Sequence, residues 1–316
     1  MIIVTGSNGF IGSNLIKGLN LLGYKDIVAV DDHENLAPSE NLSDCDFLDL
    51  KNIDELPDLI SKSNRGEISH IFHQGACSDT MEKDIEYMLQ NNFIYSRNIL
   101  DRALEKNIPF IYASSASVYG NEITFIEDIK YEKPINLYAY SKFLFDQYVR
   151  SLLDKNKSKI VGLRYFNVYG PNEQHKGRMA SVAYHLHQQL KEGEEIKLFE
   201  GSDGYENGEQ RRDFIHVDDV VKVNLWFKKN DISGIFNVGT GNSQTFNEVA
   251  EAVIKFNKKG KVEYIPFPNK LIGAYQSYTQ ADITQLRKSG YKEEFLTVEQ
   301  GVKAYIEKLE KWPSND

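Results

Sequence analysis

The stretch VTGSNGFIGSNL at residues 4–15 limits the possible folds more than any other part of the chain. Gly6, Gly9 and Gly12 stand three apart, directly after the β-type apolar run IIVT (2–5) and at the head of a helix-period segment, 10–22. A chain that must bend this sharply, and let backbone approach backbone, needs residues without a Cβ. A strand feeding a helix through such a turn is the opening unit of a parallel sheet that binds a dinucleotide. The helix N-terminus offers N–H groups to a pyrophosphate there. The spacing is GxxGxxG, not the commoner GxGxxG.

The rest of the chain repeats the alternation. DIVAV (26–30), HIFH (70–73), FIYAS (110–114) and IVGLRY (160–165) read as strands, and 51–63, 81–106 and 141–153 as helices. This order predicts an α/β fold with a doubly wound parallel sheet. RDFIHV (212–217) and GIFNVG (234–239) read as further strands of that sheet. The expected division is a dinucleotide-binding domain of residues 1–166 plus 211–245. A smaller, mostly helical substrate domain would take 167–210 plus 246–316, ending in a helix over 297–312. The Gly-rich, polar segment 201–212 reads as a loop.

A net charge of −9 over 316 residues, with no basic run, argues against nucleic acid or an anionic membrane as partner. No apolar run is long enough to span a bilayer. MIIVTG reads as a strand, not as a leader. Two cysteines, Cys45 and Cys77, suit a reducing compartment, so a cytoplasmic location is expected. No His, Cys, Asp and Glu cluster points to a metal.

Asp31 and Asp32 end the second strand, about 20 residues after the glycines, where a carboxylate accepts hydrogen bonds from an adenosine ribose. No Lys or Arg occurs between Lys25 and Lys51. Local charge therefore favours NAD over NADP, with Lys51 as the first cation that could fold back to the cofactor. Further on, YAYSK (138–142) puts Tyr138 four residues before Lys142, on one helical face, whereas Tyr140 points away. A phenol is a poor base at neutral pH. A lysine ammonium and a nicotinamide cation beside it would favour the phenolate. Ser115, in ASSASVYG (113–120), is placed to hydrogen-bond a substrate oxygen.

Together, GxxGxxG, SSASVYG (114–120) and YAYSK resemble the extended short-chain dehydrogenase/reductase family of sugar-nucleotide epimerases, dehydratases and reductases. HQGACSDT (73–80), RYFNVYGPNEQHKGRMASVAYHL (164–186), KLFEGS (197–202), GIFNVGTG (234–241), EYIPFP (263–268) and YQSYTQAD (275–282) extend the resemblance to the ADP-L-glycero-D-manno-heptose 6-epimerases. It implies inversion at C6 of an ADP-heptose through a transient 6-keto sugar, with tightly bound NAD(P), usually NADP. It also implies heptose supply for lipopolysaccharide and a homo-oligomer, often a pentamer.

Inversion needs the reacting carbon to present two faces, so a second acid/base beside Tyr138 is physically reasonable. Lys176 of QHKG is the candidate, and the resemblance gives it that role. By the same resemblance Phe10, Ile11, Gln74, Gly75, Ala76, Cys77, Ser78, Asn91, Lys142, Val168 and Lys176 meet the cofactor. Ser115, Asn167, Arg178, His185, Phe199, Glu200, Gly201, Ser202, Arg212 and Tyr275 would meet the substrate. His73, His175 and His187 read as structural. Two departures stand out: Arg178 replaces a small hydroxyl residue, and a long loop before RRDF leaves Arg211 and Arg212 competing for one diphosphate contact. Ala116 and Ser117 occupy the positions where a 4,6-dehydratase needs an acid. A UDP-hexose 4-epimerase and a non-catalytic NAD(P) sensor are the alternatives. A sensor does not need Ser115, Tyr138 and Lys142 together.

Overall fold

The structure is a computed structural model describing residues 1–32, 40–268 and 275–311. Its apolar, β-branched runs are the strands of one sheet. They are β1 (Ile2–Thr5), β2 (Ile27–Asp31), β3 (Asp49–Asn52), β4 (His70–His73), β5 (Phe110–Ser115) and β6 (Ile160–Tyr165). Between them run α1 (Phe10–Leu21), α2 (Leu56–Lys62), α3 (Ile85–Leu89), α4 (Tyr95–Glu105) and α5 (Leu137–Leu153). After β6 come β7 (Asn167–Tyr169), α6 (Val182–Glu192), β8 (Glu195–Phe199), β9 (Arg211–Arg212), β10 (Phe214–His216), α7 (Val217–Lys229) and β11 (Gly234–Val238). The chain continues through β12 (Gln244–Thr245), α8 (Phe246–Asn257), β13 (Lys261–Ile265), α9 (Thr284–Lys288) and α10 (Val298–Lys311).

The main sheet has seven strands in the order β11-β6-β5-β4-β1-β2-β3, all parallel. Its middle strands are buried on both faces, which is why they read as continuous apolar runs rather than alternating ones. One apolar core, with Leu15, Ile16, Val220 and Phe227, fills the face under α1 and α7. Another, with Ile60, Ile99, Leu100 and Val149, fills the face under α2, α4 and α5. A third joins α6, α8 and α10 to β8 through Leu186, Ile196, Val253 and Tyr305.

Three elements differ from the sequence expectation. β10 does not join the main sheet: it pairs in parallel with β7 in a separate two-stranded sheet. Phe214 and Ile215 are buried by the packing around them, and apolarity cannot tell which sheet a strand joins. β3 lies inside what reads as polar sequence. DLKN is an edge strand with little burial, so it carries no apolar signature. The helix expected over 81–106 starts at Ile85 and passes through a π-turn, Gln90–Ile94, between α3 and α4. Such turns accommodate an inserted residue and often mark functional positions. The 201–212 loop folds on itself, with Gly201 donating to Asn207 Oδ1 at 2.9 Å and Gln210 Nε2 to the Glu200 carbonyl at 3.0 Å.

Candidate active site

At the phosphate end, the glycines act through contact. Gly6 has φ +64°, and a Cβ there would stand 2.6 Å from the backbone nitrogen of Gly75. A Cβ on Gly12 would fall 2.0 Å from the Gly6 carbonyl oxygen. The β1 turn is thus pressed between α1 and the loop after β4. The N-cap of α1 is Gly9, so no side chain caps its first turn. That is a fitting cradle for a pyrophosphate. Asp31 is only 8% exposed; its carboxylate accepts from the Asn8 N–H at 2.8 Å and from the Asp32 N–H at 3.0 Å. It therefore braces the glycine turn from the end of β2.

Lys51 is a correction. It pairs with Asp49 at 2.9 Å and Glu55 at 3.5 Å, and does not line the cleft. Its place one residue before the end of β3, next to two carboxylates, satisfies its charge on the outer edge of the sheet.

At the chemical end, β5 runs out at Ser115, and α5 begins beside it with Asn136 as N-cap, accepting from the Ala139 N–H at 2.8 Å. Lys142 Nζ donates to the Ala113 carbonyl at 2.9 Å and lies 5.9 Å from the Tyr138 ring centroid. Tyr140 points away, 46% exposed and stacked on Phe143. Burial pulls the Lys142 ammonium down to about 8, against the pull of Asp146. In the protein alone, burial pushes the Tyr138 phenol up, and the hydrogen bond with Ser115 only partly opposes this. The protein alone therefore keeps Tyr138 protonated at neutral pH.

Lys176 arrives from a short 3-10 segment, Gln174–Met179, after β7. Its Nζ lies 5.0 Å from the Phe10 ring centroid and 3.8 Å from Glu173 Oε2. Burial lowers its affinity for a proton, as expected, while Glu173 opposes.

All these groups face one cleft of about 540 Å³. It brings together Gly6, Gly9, Phe10, Ile11, Gly12, Asp31, Asp32, Gln74, Gly75, Ala76, Cys77, Ser78, Asn91, Ser115, Tyr138, Lys142, Val168 and Lys176. A glycine cradle at a helix N-terminus, acidic residues at a strand end and a buried lysine near a tyrosine suit a nicotinamide dinucleotide along its whole length.

The residues expected to meet substrate divide differently. Arg212, on β9, is 7% exposed, and its guanidinium stands 4.9 Å from the Tyr275 ring centroid. Phe267 lies between Phe199, at 5.5 Å, and Tyr275, at 5.3 Å. Arg211, its neighbour on the strand, projects to the other side and donates to Ser243 Oγ at 3.1 Å and the Ser243 carbonyl at 2.7 Å. Among the described residues Arg212 pairs with no carboxylate, so it is the arginine left for an anion. Asn167 accepts from Thr279 Oγ1 at 3.2 Å, and His185 packs edge-on against Tyr184. Glu200, Gly201 and Ser202 lie at the end of β8, in the hydrogen-bonded loop that leads to Arg212. Arg178 is the outlier: its side chain is 74% exposed and paired with Asp79 at 3.3 Å. A long charged side chain takes a solvated carboxylate where a small hydroxyl would stay near the backbone.

Sequence reasoning missed Tyr165 and Asn92. Tyr165 donates to Gln74 Oε1 at 2.9 Å and accepts from Asn224 Nδ2 at 2.9 Å, tying β6 to the loop after β4 and to α7. Its position at the carboxyl end of the strand run 160–165 was the available signal. Asn92, in the π-turn, holds the Cys77 N–H and carbonyl at 2.8 and 2.9 Å and also donates to Ser141 Oγ at 3.0 Å. His73 is neutral between Thr5 and Ser96, its proton affinity pulled down by burial to about 3. Among the described residues no group of three His, Cys, Asp or Glu side chains could hold a metal, and no helix is long and apolar enough to cross a membrane.

The doubly wound sheet, the glycine turn and the Ser115–Tyr138–Lys142 arrangement define a short-chain dehydrogenase/reductase type of nucleotide-binding enzyme. The sequence model of the NAD dependent epimerase/dehydratase family matches residues 2–239. The chain belongs to that family. Among solved structures, it is similar to the ADP-L-glycero-D-manno-heptose-6-epimerase of Helicobacter pylori. That likeness has 32% identity, 98% of this chain and 96% of that chain covered, and a TM-score of 0.83. It is also similar to the UDP-glucose 4-epimerase of Thermotoga maritima, solved with UDP-glucose: 25% identity, 98% of each chain, TM-score 0.81. The UDP-glucose 4-epimerase of Thermus thermophilus, in complex with NAD, gives 25% identity, 98% and 99% coverage, and a TM-score of 0.78.

Proposed function

We propose that this enzyme inverts C6 of ADP-D-glycero-D-manno-heptose through a transient 6-keto sugar, supplying heptose for lipopolysaccharide. The observation that carries the reading is Lys176, a half-buried lysine in the same cleft as Tyr138 but brought by a different element. Tyr138 and Lys176 are the two proton-handling groups, each serving one presentation of the sugar carbon. Ser115 holds the reacting oxygen, and Lys142 keeps positive charge beside Tyr138. A bound nicotinamide dinucleotide would supply the hydride acceptor and return the same hydride. Arg212 and Tyr275 take the diphosphate and its nucleoside, in the substrate region of residues 167–210 plus 246–316.

Asp31, Asp32 and the outward turn of Lys51 support NAD as the dinucleotide. No Lys or Arg occurs between Lys25 and Lys51, so a 2′-phosphate beside Asp31 and Asp32 would meet carboxylates with no cation near them in sequence. The reading includes a cytoplasmic homo-oligomer. The likeness to UDP-glucose 4-epimerases makes a UDP-hexose the second substrate to try.

The test is to mix purified protein, without added cofactor, with ADP-D-glycero-D-manno-heptose and follow C6 by proton NMR. Acid release then identifies the bound nucleotide. Conversion is expected, with NAD released. No conversion, even with NAD+ and NADP+ added, would reject the heptose and turn the assay to UDP-hexoses.

The pH dependence should follow Lys142. Burial lowers its folded value to about 8, so the ammonium is present at neutral pH and lost as pH rises through that value. Turnover is expected to fall over the same range in a kcat/KM profile. A profile that stays flat up to the ordinary lysine range would remove Lys142 as the required cation.

A further inference from the structure

Asp146 has no place in the roles above, yet it is fully buried, eight residues after Tyr138 and four after Lys142 on one face of α5. One carboxylate oxygen accepts from the Tyr112 hydroxyl at 2.9 Å. The other accepts from Ser114 Oγ at 2.9 Å and Arg164 Nε at 2.8 Å. Arg164 is also fully buried, and its Nη2 lies 2.8 Å from Asp146 Oδ2 and 2.7 Å from Glu132 Oε1. A buried ion pair by itself says little about function, since such pairs often serve only to specify the fold.

The partners make this one different. Helix α5 meets β5 rung by rung. Tyr138 stands against Ser115, Lys142 donates to the Ala113 carbonyl, and Asp146 takes Ser114 and Tyr112. The lengths agree: eight helical residues rise about 12 Å, and three strand residues about 10 Å. We propose that Asp146 is a positioning residue for the Tyr138–Lys142 pair. It locks the helix in register on the strand that ends in Ser115, and it sets a negative charge one helical turn from the Lys142 ammonium.

The other titratable groups facing Lys142 leave Asp146 as the standing countercharge. Cys77, from the loop after β4, has its thiol pushed up by burial and stays neutral. His73 of β4 is neutral, and Tyr138 is held as a phenol. The inference rests on α5 carrying Tyr138 and Lys142 in the roles proposed above, but it needs no particular sugar. Its test can therefore fail separately from the heptose assignment.

In Asp146→Asn, the pH dependence of Lys142 acetylation, followed by peptide mass spectrometry, measures the lysine directly. Its midpoint is expected to fall by about one unit, a tenfold loss of proton affinity, with the alkaline limb of kcat moving alongside. Asp146→Asn with Arg164→Gln removes both charges, leaves no lone buried cation, and should shift the midpoint the same way. Ser114→Ala keeps the charge and loosens the register, so it should lower kcat several-fold, with KM and the Lys142 midpoint unchanged. An unmoved midpoint in a folded Asp146 variant overturns the electrostatic role. Unaltered kcat in Ser114→Ala overturns the positioning role.

Discussion

Tyr138→Phe is expected to cut turnover by roughly 10²–10⁴-fold, the range for losing a positioned acid/base group, while the bound nucleotide and the melting temperature stay as they are. The substitution removes one oxygen. The ring remains within reach of the Lys142 ammonium, which keeps its bond to the Ala113 carbonyl. Ser115 still accepts from the Ser117 hydroxyl at 2.9 Å and is only partly buried, so its own O–H can turn to water. Because burial holds Tyr138 as a phenol, its first service to a ketone oxygen is as an acid, and it works as a base only with positive charge nearby. Lys176→Met should cost epimerisation a similar factor through the other group, again with the nucleotide retained. Steady-state turnover and acid-released nucleotide, measured on both variants, decide the matter. Full activity in either removes that residue from the pair.

Gly12→Ala is expected to leave the protein with little or no bound dinucleotide and a clearly lower melting temperature. The new Cβ would stand 2.0 Å from the Gly6 oxygen and 2.7 Å from its carbon, both backbone atoms that cannot rotate aside. Relieving the overlap must move the β1 turn off α1, and Gly6 is itself packed on Gly75. Overpacking of this kind costs about 1–3 kcal/mol, or several degrees at roughly 2–4 °C per kcal/mol for a large domain. Gly193→Ala is the control. Its Cβ would find its nearest atom 3.9 Å away, and its φ is −161°, so stability should change little. Thermal unfolding and nucleotide content of the two variants make the comparison, and equal nucleotide content would show that the turn tolerates a Cβ.

Much of the sheet was readable because burial on both faces makes its strands continuous apolar runs, each followed by a helix-period segment. β3 was not, because an edge strand of mixed polarity looks like loop or helix. β10 was misplaced because strand pairing is a tertiary choice between equally apolar neighbours. Most residues that line the cleft were legible because they sit at strand ends and in one glycine turn, close in sequence to the elements that place them. Lys51 misled because charge alone gives no direction, and Asp49 and Glu55 were nearer than the cleft. The choice between Arg211 and Arg212 needed the fold, since only strand alternation sends one to Ser243 and the other under Tyr275.

By itself, the sequence determined the parallel sheet, the glycine turn and the Tyr138–Lys142 pairing. Each depends on local geometry: a strand period, residues without Cβ, and the four-residue repeat of a helix. Tertiary structure alone decided the protonation of Tyr138 and Lys142, the arrival of Lys176 above Phe10, and the clamp of Asp146 on β5. Those depend on which distant segments exclude water from a charge and which supply its partner, and only the packed chain brings such segments together.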